Sequence, residues 1–169
     1  SQYVSSYFCN YLHSTSVNCF IQLHKLFMIL MTIKRYNHFM NNTFKQMILA
    51  AGKDMQKRDL TVETWGNISV RDPQTGLIYL TPSGMDYSTL IEDDIVVLNE
   101  KGDIVEGNRK PSVEKMLHVL VYQRRKDVNA ILHTHPVSST VFGVLHQSIP
   151  VVTDEMAQAI GGEVKCAGY

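Results

Sequence analysis

The sequence predicts an α/β domain, because helix-like and strand-like stretches alternate along it. Apolar residues recur at three- and four-residue steps after residue 42 and again after residue 112, as in helices that bury one face. Short apolar runs bounded by turn-forming residues lie between these stretches and are typical of strands. The 169 residues, 44% of them hydrophobic, suffice for one domain with a hydrophobic core.

The charge and cysteine content exclude several classes of protein. The formal net charge is zero, so nothing favours binding to nucleic acid or to an anionic membrane surface. Cys9, Cys19 and Cys166 are widely spaced and form no CxxC pair, which disfavours a disulfide framework and a cysteine-based zinc site. We therefore expect a cytoplasmic protein that binds neither nucleic acid nor membranes.

Residues 1–39 are predicted to be an N-terminal extension that is not part of the fold. The chain has no acidic residue before Asp54, and Met40 is a plausible start of the natural protein. The apolar run from Leu26 to Ile33 is far shorter than the ~20 residues that a membrane-spanning helix needs. The domain is therefore expected to occupy residues 40–169.

The first half of this domain is predicted to contain a helix and a β-hairpin. Five apolar side chains define the buried stripe of the helix: Phe44, Met47, Ile48, Ala51 and Met55. Ile68 and Val70 then alternate with polar residues as in a strand, and residues 72–76 have the composition of a turn. Residues 77–80 complete the hairpin, and two more strands are predicted at residues 94–98 and 104–105.

The motif Thr81-Pro82-Ser83-Gly84 directly follows this hairpin. A serine hydroxyl and free backbone N–H groups can bind an anion such as phosphate at such a place. An ordinary turn has the same composition, so the motif alone leaves both interpretations open.

A second helix is predicted to open at Ser112, whose side chain can cap its N-terminus. Its buried side is expected to comprise Val113, Leu117, Leu120 and Val121. Glu114 lies in the first turn, where the helix dipole favours an anion, so a purely structural role is one interpretation. His118 follows one turn later and is expected to pack or to form hydrogen bonds on the helix surface.

The stretch from Ala130 to Pro136 is predicted to be a short buried strand that ends in a turn. Alternation along the strand places His133 and His135 on the same side, close enough for both imidazoles to bind one metal ion. Two polar residues that are hydrogen-bonded or solvated at a strand end are the alternative. If the second helix packs antiparallel to this strand, Glu114 comes close to both histidines.

The remaining residues predict two helices and two short strands. The helices are expected at residues 138–145 and 155–160, with Gly161-Gly162 closing the second. The strands are expected at residues 149–152 and from residue 164 onwards.

Several motifs, in this order and spacing, resemble the class II aldolase/adducin family, and most closely its L-fuculose-1-phosphate aldolases. The resemblance runs from about Met40 to Tyr169. The motifs that carry it are Trp65-Gly66-Asn67-Ile68-Ser69, Thr81-Pro82-Ser83-Gly84, Glu106-Gly107, Lys110-Pro111-Ser112-x-Glu114 and His133-Thr134-His135.

The resemblance implies a three-layer α/β/α sandwich on a mostly antiparallel central sheet, usually in a homotetramer with active sites at subunit interfaces. It implies that His133 and His135 bind one Zn²⁺ per subunit. Glu114 would be the acid/base carboxylate, which can also contact the metal. The residues that match the substrate phosphate-binding positions are Asn67, Ser83, Gly84 and Ser112.

The activity that the resemblance implies is zinc-dependent cleavage of a ketose 1-phosphate, similar to L-fuculose 1-phosphate. The products would be dihydroxyacetone phosphate and an aldehyde, formed through a metal-stabilised enediolate. Glu114 would transfer the proton at the carbon released by the bond cleavage.

The chain also departs from the family pattern. A third zinc-binding histidine of the family lies downstream of residue 169, so we expect a chain that lacks its C-terminal part and is weakly active or inactive alone. Val113 stands where the fuculose enzymes commonly have a second phosphate-binding serine, and Asp154 where they have a tyrosine proton donor.

Two alternatives share most of these motifs. L-ribulose-5-phosphate 4-epimerases use similar chemistry but tend to have Asp at the position of Glu114, so Glu114 favours the aldolase. Adducin-like members use the same fold as a catalytically inactive binding module and lack the metal-binding histidines. His133 and His135 argue against that second alternative.

Overall fold

The computed structural model describes residues 42–168 of the chain. The predicted extension at residues 1–39, with Cys9 and Cys19, lies outside the described residues. Between residues 42 and 168, no helix is both long enough and apolar enough to cross a membrane.

A five-stranded antiparallel sheet forms the centre of the fold. Its strands are β1 (Asn67–Arg71), β2 (Ile78–Leu80), β3 (Val96–Leu98), β4 (Ile104–Glu106) and β5 (Ala130–His133). They lie in the order β4-β3-β2-β1-β5, and each neighbouring pair is antiparallel. The predicted hairpin is confirmed, because Ser69 of β1 pairs with Leu80 of β2 and Arg71 pairs with Ile78.

Four α-helices and a short 3-10 helix (Glu92–Asp94) accompany the sheet in the described part of the chain. The α-helices are α1, described from residue 42 to residue 57, α2 (Lys115–Arg124), α3 (Val137–Val144) and α4 (Asp154–Ile160). The ring of Phe44 in α1 packs 5.3 Å from that of Tyr79 in β2. The neighbours of Tyr79 point to the opposite face, where α2 contributes to a core cluster of Ile78, Leu80, Val96, Leu98, Val119 and Tyr122. Helices therefore cover both faces, and the predicted three-layer α/β/α arrangement is confirmed.

The buried stripe of α1 is narrower than predicted. Phe44, Ile48 and Met55 are buried, but Met47 is 51% exposed and Ala51 is half-buried. At 100° per residue, the three buried side chains lie within about 40° of one another, whereas Met47 lies about 60° to one side of Phe44. The sheet therefore covers the centre of the stripe and leaves its edge in solvent.

The start and the buried face of α2 both differ from the prediction. The helix begins at Lys115 rather than at Ser112, and Glu114 is its N-cap residue. Its buried side chains are His118, Val119 and Tyr122. The predicted set is instead mostly in solvent: Val113 is 77% exposed, Leu117 and Leu120 are each 46% exposed, and Val121 is half-buried. The helix turns His118 and Tyr122 inwards because β1 offers them hydrogen-bond partners.

Strand β5 lies at an edge of the sheet and is not buried as predicted. Ala130 and Leu132 are exposed, because β1 is its only neighbour in the described sheet. Arg71, at the end of β1, donates hydrogen bonds to the carbonyl oxygens of Lys126 at 2.8 Å and of Val128 at 2.7 Å. These bonds fix the loop between α2 and β5, and they hold β5 in place although it has only one neighbour.

The C-terminal helices are confirmed and the C-terminal strands are not. Gly161 closes α4 with φ +78°, as its sequence predicted. The strands predicted at residues 149–152 and from residue 164 are absent from the described chain, where a single antiparallel bridge joins Ile149 and Val164. Two backbone hydrogen bonds of 2.9 and 3.0 Å close this bridge, and no ladder extends it.

Candidate active site

Three side chains with metal-binding atoms converge where α2 begins and β5 ends. His133 is the last residue of β5, His135 lies two residues further on, and Glu114 precedes α2. The Nε2 atom of His133 lies 3.6 Å from Oε2 of Glu114 and 2.9 Å from Nε2 of His135. One donor atom from each of the three side chains lies within 4.8 Å of the others. The structure thus brings together the three residues that the sequence singled out.

This donor set fits a zinc ion. Two imidazole nitrogens and a carboxylate oxygen are common zinc ligands, with bonds of about 2.0–2.2 Å, and catalytic zinc sites commonly have three protein ligands. Two donors bound at such lengths to one tetrahedral ion are about 3.3 Å apart. The observed distances of 2.9 and 3.6 Å lie on either side of that value. All three side chains are half-buried, so a substrate can reach them from solvent.

The loop before β1 positions the two histidines. Gly66 adopts φ +76°, and a Cβ atom there would lie 2.6 Å from the carbonyl oxygen of His133, so only glycine allows this close approach. The backbone N–H of His135 donates to the carbonyl of Leu60 at 3.0 Å. The ring of Trp65 meets that of His135 edge-on, with centroids 5.6 Å apart. The loop therefore holds both the backbone and the ring of His135.

Asn67 and Ser112 hold Glu114. The side-chain Nδ2 of Asn67 donates to Oε2 of Glu114. The backbone N–H of Glu114 donates to the hydroxyl of Ser112 at 3.2 Å. Asn67 also pairs directly with His133 in the sheet. This one residue of β1 therefore positions both the carboxylate of Glu114 and the backbone of His133.

A chain of buried hydrogen bonds lies behind Asn67. Nε2 of His118 bonds Oδ1 of Asn67, and Nδ1 of His118 lies 2.6 Å from the hydroxyl of Ser69. That hydroxyl lies 2.8 Å from the phenol of Tyr122. All four residues are at most 3% exposed. His118 forms hydrogen bonds as predicted, but its predicted place on the helix surface is wrong, because it is fully buried. Its spacing of four residues from Glu114 was the available signal.

The neutral form of His118 contributes to the pH dependence of stability. Burial, assisted by nearby His133 and opposed by Glu114, lowers the pKa of His118 from 6.5 to about 4. Between these values the unfolded chain binds a proton that the folded chain does not, so the free energy of unfolding falls as the pH falls from about 6.5 to about 4. The expected loss is roughly 3 kcal/mol.

Urea unfolding of the metal-free protein at several pH values between 4 and 7 measures this loss. The same titration of His118→Gln, which has no ionisable group there, should show a shallower slope. Equal slopes for the two proteins would show that His118 ionises no differently in the folded and unfolded states.

Two of the residues matched to phosphate binding, Ser83 and Gly84, lie on a loop that contacts the loop before α2. The loop of Ser83 and Gly84 joins the loop before α2, since the N–H of Ser83 donates to the carbonyl of Lys110 at 2.9 Å. Ser112 is buried, Ser83 is half-buried, and Gly84 is exposed with φ +69°. The amide of Asn67 already contacts Glu114 and His118. The loop of Ser83 and Gly84 is thus hydrogen-bonded to the loop in which Ser112 accepts from the backbone N–H of Glu114.

Several known proteins resemble this chain. In sequence it is 39% identical over 125 residues to a 5-deoxy-D-ribulose 1-phosphate aldolase of Bacillus thuringiensis serovar kurstaki, covering 74% of this chain and 58% of that protein. It is 34% identical over 122 residues to the L-ribulose-5-phosphate 4-epimerase UlaF of Salmonella paratyphi B, covering 72% and 54%. The chain therefore spans a little over half the length of these relatives.

Solved structures agree with these sequence relatives. An L-fuculose 1-phosphate aldolase superposes with a TM-score of 0.63 at 41% identity, covering 64% of this chain and 51% of that one. The L-fuculose-1-phosphate aldolase of Thermus thermophilus superposes with a TM-score of 0.59 at 30% identity, covering 72% and 61%. The family model "Class II Aldolase and Adducin N-terminal domain" matches residues 46–169, and the chain belongs to this class II aldolase and adducin family.

Proposed function

We propose that the full-length protein is a zinc-dependent aldolase that cleaves a ketose 1-phosphate into dihydroxyacetone phosphate and an aldehyde. The observation that carries this proposal is the convergence of Glu114, His133 and His135. Two of the similar proteins described above are named as ketose 1-phosphate aldolases, and they are 39% and 41% identical to this chain.

In this proposal His133 and His135 would hold a zinc ion, with Glu114 able to contact it before substrate binds, and the ion would supply Lewis-acid polarisation of the substrate carbonyl. Cleavage of the C3–C4 bond leaves carbon 3 in need of a proton, and the C4 hydroxyl gives one up to water as it becomes the aldehyde, so the protons balance overall. Glu114 transfers the proton at carbon 3, since its carboxyl group is the acid/base group among the three. In the condensation direction, Glu114 removes the same proton.

The substrate phosphate is proposed to bind to the two joined loops beside Glu114. The hydroxyl groups of Ser83 and Ser112 and the backbone of Gly84 supply hydrogen-bond donors suited to an anion. Asn67 is part of the same proposed set, and its amide must then be shared with Glu114. A Ser83→Ala variant with an unchanged KM for the sugar phosphate would contradict this assignment of Ser83.

An L-ribulose-5-phosphate 4-epimerase is the second candidate function, favoured by the 34% identity to such an enzyme. The two candidates differ in products, because an epimerase returns a pentose phosphate and an aldolase releases dihydroxyacetone phosphate. A catalytically inactive binding module is the third candidate function, and the grouping of the three metal-binding side chains argues against it.

A coupled assay of the full-length protein for release of dihydroxyacetone phosphate tests the proposed activity. The substrates are L-fuculose 1-phosphate, L-rhamnulose 1-phosphate, 5-deoxy-D-ribulose 1-phosphate and L-ribulose 5-phosphate. We expect zinc-dependent release from at least one 1-phosphate, and its loss on chelation. Conversion of ribulose 5-phosphate without any release would favour the epimerase, and no reaction with any substrate would favour the binding module.

We further infer that the full-length protein is a cytoplasmic homotetramer. Exposed apolar side chains on α2 and α3 support an interface, among them Leu117, Leu120, Val141 and Val144. The free thiol of Cys166 suits a reducing compartment. A monomeric mass in sedimentation, or recovery of the protein outside the cytoplasm, would contradict this inference.

A further inference from the structure

His118 is a buried residue that lies one hydrogen-bond partner away from Glu114 and that the proposed chemistry does not use. It is 0% exposed, and both of its ring nitrogens are hydrogen-bonded. One partner, Asn67, in turn contacts the carboxylate of Glu114. A buried imidazole is costly unless its hydrogen bonds are satisfied, so a simple core position would be served better by an apolar residue.

The chemistry of each partner determines which atom donates and which accepts in these hydrogen bonds. The amide nitrogen of Asn67 donates to Glu114, so the amide oxygen faces His118. An amide oxygen only accepts, so Nε2 of His118 carries the proton. Nδ1 of the neutral ring then accepts from the hydroxyl of Ser69, 2.6 Å away. The phenol O–H of Tyr122 then donates towards two acceptors of Ser69, its hydroxyl oxygen at 2.8 Å and its carbonyl oxygen at 3.1 Å.

We propose that His118 is a positioning residue that fixes the amide of Asn67 so that its N–H holds the carboxylate of Glu114. Without the Nε2–H donor, the amide of Asn67 can rotate by 180° and present its oxygen to Glu114. Two acceptors facing each other repel, and the carboxylate then moves away from its place beside His133. This proposal rests on the proposed function, because it assigns Glu114 the proton transfer.

The spacing of these residues along β1 and α2 explains how the hydrogen bonds form. Asn67 and Ser69 lie two residues apart on β1, so their side chains point to the same face and meet one turn of α2. Glu114 and His118 are four residues apart and lie on one side of the same helical turn. The hydrogen bonds therefore run alternately between residues of the helix and residues of the strand. They hold the start of α2 in register with β1.

Two amide variants distinguish the roles of the two ring nitrogens of His118. In His118→Gln the side-chain amide reaches the place of Nε2 and can still donate to Asn67. In His118→Asn the amide reaches only the place of Nδ1, so it can bond Ser69 but not Asn67. Both variants bury a neutral amide in place of the imidazole, and the Asn side chain is one methylene shorter than that of Gln.

The first measurement is the rate at which the zinc-loaded full-length protein exchanges the carbon-bound proton of dihydroxyacetone phosphate with deuterated water. This half-reaction needs Glu114 and no aldehyde. We expect His118→Asn to slow the exchange on the order of 10–100-fold with little change in KM, and His118→Gln to stay within about threefold of the wild type. Zinc content should be equal in all three proteins. Equal rates in the two variants would overturn the proposal.

The second measurement does not depend on activity. In the metal-free protein, the side-chain amide protons of Asn67 should be distinct in NMR spectra and protected from exchange with water. The protection should persist in His118→Gln and fall by about tenfold or more in His118→Asn. If the wild type proves inactive, the proposed function fails while this measurement still decides the role of His118. Unchanged protection in His118→Asn would overturn that role.

Ser69→Ala is the control for the other ring nitrogen of His118. It removes the partner of Nδ1 and leaves the Nε2–H donor and Asn67 in place. We expect its exchange of dihydroxyacetone phosphate protons to stay within about threefold of the wild type, as in His118→Gln. Should His118→Asn not fold, slowing by more than about tenfold in Ser69→Ala or His118→Gln would overturn the proposal, because both keep a donor to Asn67.

Discussion

Replacing Glu114 with Gln is expected to abolish turnover by the full-length protein while zinc stays bound. Gln keeps the shape of the side chain and an oxygen that accepts from Asn67, so the hydrogen bond at Oε2 survives. It cannot transfer a proton at carbon 3 of the substrate. Loss of a positioned acid/base group costs about 10²–10⁴-fold in rate. His133 and His135 remain to hold the metal.

Turnover and zinc content should be measured on the same preparation. Glu100→Gln is the matched control, because Glu100 is exposed on the turn between β3 and β4 and lies outside the candidate site. We expect it to behave as the wild type. Retained activity in Glu114→Gln would remove Glu114 from the mechanism.

Replacing either His133 or His135 with Ala is expected to weaken zinc binding by more than about 100-fold and to stop turnover with it. The two Nε2 atoms lie 2.9 Å apart, and each variant removes one of these two nitrogen donors. Neither histidine belongs to the buried core, which is formed by β2, β3 and α2. The fold should therefore remain, as circular dichroism can verify.

His146→Asn is the matched control for these variants. His146 is exposed, and its φ of +53° suits Asn, which tolerates the left-handed region well. Its zinc affinity should equal that of the wild type. If His133→Ala and His135→Ala bound zinc as tightly as this control, the metal would have to lie elsewhere.

The approach of Glu114 to His133 could be predicted from the sequence, because it follows from local rules. A helix that returns antiparallel to the next strand brings its first turn beside the end of that strand. The His-x-His alternation then fixes which side of the strand faces Glu114. These two patterns are local, and the structure places the three side chains as they require.

The buried face of α2 could not be predicted in the same way. Apolar periodicity assigned Leu117 and Leu120 to the core, whereas His118 and Tyr122 occupy it. Polar side chains are buried when partners satisfy them, and those partners lie on β1, about 50 residues earlier in the chain. Periodicity cannot detect a partner so distant in sequence. The edge position of β5 was missed for a similar reason, since strand order depends on contacts between distant segments.

X-ray absorption at the zinc edge of the full-length protein tests most directly whether Glu114, His133 and His135 share one metal ion. The first shell should contain imidazole nitrogens at about 2.0–2.1 Å with oxygen donors beside them, and His135→Ala should remove one of these nitrogens. A shell of oxygens alone, or sulfur at about 2.3 Å, would contradict the proposed centre.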